Sequence, residues 1–377
     1  MYVKELTLSN FRSYEQVTVQ FPAGVSALVG SNGQGKTNLV EAIGYIATLG
    51  SHRVAGDAPL IKQGHDVAQI KVIASHAERE ITLEIDIING RPNRAALNGS
   101  PLKRPRDLLG YLNVVVFAPE DLALVKGDPS ERRYFLDHTL TALTPRFAGT
   151  RSDLDRVLKQ RNALLKTAQH AARRSTTDVM RTLDAWDAQF AILSAQLVIE
   201  RRQLVASLMP FTHELYQQVS DDRGPFEMRY ECSLPNPPTN DDLSMWESAY
   251  LDALRDRRQD EIDRGLTLVG PHRDDLHIDV RGLPVKGYAS HGESWSAALT
   301  LRLASFELLR RDRPGGDPIL ILDDVFAELD SKRRRRLVEL TTTAEQTIVT
   351  AAVAEDVPSD LGGDRFEVGN GEVRHVG

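Results

Sequence analysis

Cysteine is nearly absent. Cys232 stands alone among 377 residues, which excludes an internal disulfide and a cysteine-built zinc site, and its expected place is a half-buried strand. Long apolar runs are missing as well: no stretch approaches about 18 uninterrupted apolar residues, and the opening MYVKELTLSN has neither the charged nor the apolar region of a secretory leader. A cytoplasmic protein with no membrane association is the expectation. There is no basic excess either, because the net charge is −7 and the pI near 5.9, so nothing in the overall balance announces a nucleic-acid binder. Any DNA contact must come from local clusters: Arg91 with Arg94, Lys103 with Arg104 and Arg106, Arg132 with Arg133, and 333–336. Taken singly, each reads first as a solvated face. Glycine and proline, finally, do not occur anywhere in 150–209.

What is present is a phosphate-binding pattern. Residues 30–37, GSNGQGKT, match G-x-x-x-x-G-K-[ST]. Gly30, Gly33 and Gly35 allow a tight turn, partly at positive φ, that converges backbone N–H groups on phosphate oxygens. Ser31, Asn32, Gln34 and Asn38 complete the expected cradle, Lys36 reaches the β and γ phosphates, and the Thr37 hydroxyl is the expected ligand of Mg²⁺. The flanks agree: 25–29 reads as a buried strand, and Leu39, Val40, Ile43, Ile46 and Ala47 recur at helical spacing, so the loop feeds a helix N-terminus whose dipole favours an anion. A second apolar run, ILIL at 319–322, ends in Asp323 and Asp324. It reads as a buried parallel strand carrying a metal ligand and a water-orienting base at its C-terminal end.

The rest of the chain surrounds these two elements. An opening hairpin is expected from the alternation in 3–8 and 17–21, with Arg12 between its strands and in reach of a nucleotide. Strands at 67–74, 81–87 and 94–97, with Asn89-Gly90 as a turn, predict an antiparallel layer, and 114–117 another buried strand. Asp128, Pro129 and Glu131 mark a helix start carrying Arg132 and Arg133. In the stretch without glycine or proline, Leu154, Leu158, Arg161, Leu165 and Ala168 step by four and three, as do Leu183, Trp186, Phe190, Leu193 and Leu197. These are two short coiled-coil seams around a turn expected at 175–178, an antiparallel helical pair. Ser290 and Glu293 have capping-box spacing ahead of a helix buried through Ala298, Leu301, Ser305 and Leu308. Strands at 276–280 and 347–351 and a hairpin in 365–376 complete the reading.

Taken together, Asn10-Phe11-Arg12, GSNGQGKT, Ser51-His52-Arg53, Pro119-Glu120-Asp121-Leu122, the LVKG of 124–127 ahead of Arg132-Arg133, the GPHRDD of 270–275, and Asp323-Asp324 with Glu328-Leu329-Asp330 resemble the ABC-type ATPase heads of chromosome-maintenance and recombination proteins. The bacterial RecF recombination mediators are the nearest family. The resemblance implies an α/β fold, an ABC-type P-loop ATPase head with a mixed sheet and an antiparallel layer, split as 1–121 and 262–377 around an inserted helical arm at 122–261. It also implies a slow, DNA-stimulated ATPase used as a switch, which binds ATP and Mg²⁺, dimerises through ATP, and recognises gapped or junction DNA. RecO and RecR are the implied partners in loading RecA. In such heads Lys36 and Asp324 are the catalytic pair, with Asp324 orienting water, while Thr37 and Asp323 hold the metal. Arg12 joins the ATP contacts; Ser290, Gly292 and Glu293 form a signature that meets ATP on the partner subunit, and Asp330 crosses the interface. An ABC transporter nucleotide-binding subunit and a P-loop kinase are the alternatives. The long insertion and the lack of a switch histidine in 347–351 speak against the first. The paired ILILDD and signature elements leave no need for the second.

Overall fold

The computed structural model describes residues 1–76, 79–170, 176–220, 224–312 and 316–377. Of the turn expected at 175–178, Ser175 lies outside the described residues, and Thr176, Thr177 and Asp178 already belong to the helix Thr176–Val219. Packing divides the chain into two compact units, one of 1–125, 211–225 and 288–377, the other of 126–210 and 226–287.

The first unit contains two six-stranded sheets. One is antiparallel, ordered Tyr14–Gln20, Tyr2–Phe11, Val67–His76, Arg79–Ile88, Arg94–Leu97 and Ser100–Pro101. Its inward residues Leu6, Leu8, Ile70, Val72 and Ile85 alternate with polar neighbours, as expected of a sheet buried on one face. The other is mixed, ordered Glu372–His375, Asp364–Gly369, Gly24–Val29, Gln346–Ala351, Ile319–Asp323 and Val114–Phe117, with every pairing parallel except the terminal hairpin. Leu39, Val40, Ile43 and Ile46 of the helix Lys36–Thr48 share one core with residues of both sheets. That helix covers one face of the mixed sheet, and Ile319–Asp323, buried along its whole length without alternation, is covered on both faces. Parallel pairing has a further consequence. It brings the C-terminal ends of four strands, and so Gly30, Ala352, Asp324 and Ala118, to one edge of the sheet.

The second unit is built on helices Pro129–Leu143, Phe147–His170 and the first part of Thr176–Val219, with a three-stranded sheet of Leu283–Pro284, Asp275–Val280 and Phe226–Glu231. Leu154, Arg161 and Leu165 are buried as the seam requires, and so are Leu183, Phe190 and Leu197. A buried arginine in a seam needs acids, and Arg161, 0% exposed, donates to Asp187 at 2.7 Å, Glu261 at 2.5 Å and Thr267 at 2.8 Å. The GPHRDD segment is the second such knot. Arg201 donates to both Asp137 oxygens and to the Pro271 carbonyl, Asp274 accepts from Tyr230 at 2.6 Å and Ser233 N–H at 2.7 Å, and Arg273 donates to the Thr267 carbonyl at 3.1 Å. His272, pushed down to about 4 by burial, shares Nε2 with the same carbonyl. Among the described residues no helix is long and apolar enough to cross a membrane.

Two expectations change in detail. Asp128 occupies the N-cap position but makes no side-chain cap bond, so no capping box forms with Glu131. Cys232 lies just past its strand, half-buried, with its thiol pushed up to about 12 by burial.

Arg161→Ala strands two buried carboxylates, and the loss of one partner of such a cluster costs about 3–5 kcal/mol. Urea unfolding should show that loss, and hydrogen exchange should place it in Phe147–His170 and 258–267 while the strands of the mixed sheet keep their protection.

Candidate functional site

The loop of 30–35 leaves the strand Gly24–Val29 and enters Lys36–Thr48. Gly33 and Gly35 have φ of 84° and 105°, which only glycine adopts without strain. Gly30 is required for another reason: a Cβ there would lie 2.1 Å from the Val368 carbonyl oxygen. Gly35 sits against the Tyr14 ring, an approach no motif announced. Lys36 is buried and donates to the carbonyls of Gly30 at 2.6 Å and Ser31 at 3.3 Å, so its ammonium lies within the loop. Gln34 accepts from Asn370 N–H at 2.9 Å, tying the loop to the terminal hairpin, with a cavity of about 530 Å³ lined by Gly30, Ser31, Glu367 and Arg374 beside it.

Asp323 ends the buried strand and is 2% exposed. Its Oδ1 accepts from Thr350 at 2.5 Å, a residue paired with it across the sheet, and from Thr37 at 3.1 Å. The loop threonine and the strand carboxylate thus meet where a divalent cation between them would find two oxygens. Asp324 departs from expectation. Strand alternation would send it to the face opposite Asp323, but its backbone has left the strand, with φ at 50° and its N–H on Thr350 Oγ1 at 2.9 Å. Burial and then the Asp323 charge push its carboxyl above the usual range, against the opposing pull of Lys36.

Sequence reasoning missed the residue that organises the loop's surroundings. Glu41, 0% exposed, faces inward from the helix five residues after Lys36. Arg12 donates to both of its oxygens, at 2.8 and 2.6 Å; Ser51 donates at 2.5 Å and Arg53 at 3.4 Å. Burial raises its pKa, but Arg12, Ser51 and Arg53 together hold it below the ordinary carboxylate range. Arg12 is therefore braced by Glu41 and the Pro59 carbonyl, and Arg53 also reaches Asn38 Oδ1 at 3.2 Å. An acid on the apolar face of a helix was the available signal.

The signature residues lie at the start of the helix His291–Asp312. The capping box forms reciprocally: Ser290 N–H donates to Glu293 at 2.7 Å, and Glu293 N–H donates to Ser290 Oγ at 3.3 Å. Arg333 lies against Gly292, where an added Cβ would come within 3.0–3.3 Å of its guanidinium. Arg333 also donates to Asp330 at 2.6 Å, and Asp330 caps the helix Ser331–Thr341 by accepting from Lys332 and Arg333 N–H. Farther along the signature helix, Arg302 pairs with Asp121 at 2.6 Å, which gives the PEDL segment its place.

Of Arg132 and Arg133, both expected to face DNA, Arg132 corrects that expectation. Arg132 is 5% exposed and grips both oxygens of Asp275, at 2.7 and 2.9 Å, while Arg133 donates to the Asp274 carbonyl at 2.8 Å. The Arg132 charge is matched by Asp275, whereas Arg133 is half-buried and bonds a neutral carbonyl.

Residues 2–359 match the family described as the RecF/RecN/SMC N terminal domain. A curated relative from Streptomyces avermitilis, "DNA replication and repair protein RecF", is 52% identical over 377 residues, covering 100% of both chains. Among solved structures, one described as the recombination mediator protein RecF with ATP in the RecFOR pathway superposes with a TM-score of 0.90 at 26% identity, covering 100% of this chain and 98% of the other. An Smc head domain from Pyrococcus furiosus, at TM-score 0.55 and 17% identity over 100% of this chain and 96% of that one, shares the fold. The expected ABC-type ATPase head, with its antiparallel layer and helical arm, is the fold observed.

A carboxyl whose pKa is raised by folding favours the fold below its unfolded value near 3.8 and loses that contribution as pH rises through the folded value. Charged Asp324 therefore weakens the nucleotide-free protein at neutral pH. Asp324→Asn should raise Tm by roughly 1–3 °C at pH 7.5, and the gain should vanish toward pH 4. An equal gain at both pH values would show that charge is not the cause.

Proposed function

The chain belongs to the RecF family, and on that premise we propose that it is an ATP-dependent DNA-binding protein of replication and recombinational repair, a slow DNA-stimulated ATPase that works as a switch. ATP joins two copies head to tail. The dimer engages gapped or single-strand/double-strand junction DNA in the cytoplasm and acts with RecO and RecR in loading RecA. The observation that carries the reading is the meeting of Thr37 Oγ1 and Asp323 Oδ1, 3.1 Å apart, beside a phosphate loop at the ends of parallel strands.

Placement supports a role for each residue. Residues 30–38 wrap the triphosphate with backbone N–H groups and Lys36, which moves from the loop carbonyls to the β and γ phosphates. Thr37 and Asp323 hold Mg²⁺, which when bound neutralises charge on the phosphate oxygens. Asp324, at the sheet edge and with its proton affinity raised, orients water. Arg12 and Arg53 flank the nucleotide from the Glu41 cluster. Ser290, Gly292 and Glu293 offer a helix N-terminus to the γ phosphate held by the second copy, with Asp330 close by through Arg333. With Arg132 committed to Asp275, the exposed Arg91, Arg94 and Lys103 at the edge of the antiparallel sheet join Arg133 as the basic groups for DNA.

Lys36→Ala should weaken ATP binding at least tenfold, about 1.4 kcal/mol by calorimetry. Ser290→Arg should bind ATP normally yet stay monomeric by light scattering; an ATP-dependent dimer of that variant would sink the composite site.

A monomer of charge −7 is repelled by DNA at long range, and dimerisation doubles each basic cluster. If about three to five phosphates are neutralised, log affinity should fall against log salt with a slope of roughly −3 to −4.5. Arg91→Glu with Arg94→Glu should flatten that slope. Equal affinity and slope with ATP, with ADP and in Ser290→Arg would mean that DNA is held by the monomer.

A further inference from the structure

We propose that His52 is a ligand of the divalent cation at the nucleotide site, through Nε2, and sets which cation the site prefers. The inference rests on the reading that Thr37 and Asp323 hold that cation. His52 Nε2 is buried and has no hydrogen-bond partner among the described residues. A buried polar atom left in this state is rare and costs stability, so it points to a missing partner. The atom lies 3.9 Å from Asp323 Oδ2. That separation is too long for a hydrogen bond. It is within the span of two ligands of one cation: at bond lengths of about 2.1 Å, neighbouring ligands stand roughly 3.0 Å apart and opposite ones roughly 4.2 Å. Of the two Asp323 carboxylate oxygens, Oδ1 meets Thr350 and Thr37, and Oδ2 is the one that lies within 4 Å of the imidazole.

The loop that carries His52 is held in place. Ser51 Oγ donates to Glu41 and accepts from the N–H groups of Arg53 at 3.0 Å and Val54 at 3.2 Å, and Arg53 reaches Asn38 and Glu41. A hydroxyl, a carboxylate and phosphate oxygens form a set suited to Mg²⁺; adding an imidazole nitrogen favours transition divalents relative to Mg²⁺. His52 would thus tilt the site toward Mn²⁺.

The test uses the full chain with Mn²⁺ and ATPγS, read by pulsed electron paramagnetic resonance, in wild type, His52→Ala and His52→Gln. Gln puts an oxygen near the place of Nε2, so it serves even if the alanine variant fails to fold. Wild type should show ¹⁴N coupling of a directly bound imidazole, shifted by ¹⁵N-histidine labelling and lost in both variants. By calorimetry, the ratio of Mn²⁺ to Mg²⁺ affinity should fall about tenfold in the variants. A protein-bound Mn²⁺ spectrum without nitrogen coupling in wild type overturns the inference alone, as does coupling that survives in His52→Gln. A spectrum of free Mn²⁺-nucleotide overturns the ATP-site reading and this inference with it.

Discussion

A carboxylate removed from water must be surrounded by donors, and Asp323 imposes that requirement on everything near it. Thr350 meets it from the neighbouring parallel strand, where the register pairs the two residues directly. Thr37 meets it from the loop helix. A one-residue slip of Gln346–Ala351 would turn Thr350 to the other face and leave the acid exposed to an apolar wall. The same hydroxyl receives the Asp324 N–H, so one threonine fixes both the carboxylate and the turn that follows it. The site therefore depends on the register of the mixed sheet as much as on the phosphate loop.

Buried charge is handled the same way elsewhere. Glu41 gathers Arg12, Ser51 and Arg53 from two segments that are far apart in the chain, and this single acid gives the Asn-Phe-Arg and Ser-His-Arg segments one destination. In the second unit Arg161, Arg201 and Arg132 are each matched by acids from a different helix or strand. Such pairs are poor sources of net stability, since desolvation offsets much of the attraction, yet breaking one is expensive. They specify which elements must meet. The GPHRDD segment contributes the Pro271 carbonyl, Asp274 and Asp275 to this architecture.

The nucleotide site keeps what the rest of the fold avoids. Asp324 holds a left-handed backbone at φ 50° and a carboxyl whose ionisation is opposed by burial and by Asp323. Strain and unfavourable charge of this kind persist only where surrounding structure overrides them. Stability and the capacity to orient water are in tension at that residue.

The sequence by itself determined whatever depends on neighbours a few residues apart. The phosphate loop, the ILIL strand, the Ser290 and Glu293 capping box, the terminal hairpin and both helical seams are local patterns of periodicity, glycine and capping, and they stand where the residues placed them. Tertiary structure alone decided the partnerships across long separations. Nothing near Arg132 in the chain shows that Asp275 will claim it, 143 residues on, nor does anything near Gly30 show the Val368 carbonyl that forbids a side chain there. The division of the chain is another case, because 211–225 packs with the sheets and 262–287 with the helices. Hydrophobic period reports which face of an element is buried, and it carries no information on what lies against that face. Ion pairs, close backbone approaches and the turn of His52 toward Asp323 are set by the fold, because only folding brings those atoms within a few ångströms of one another.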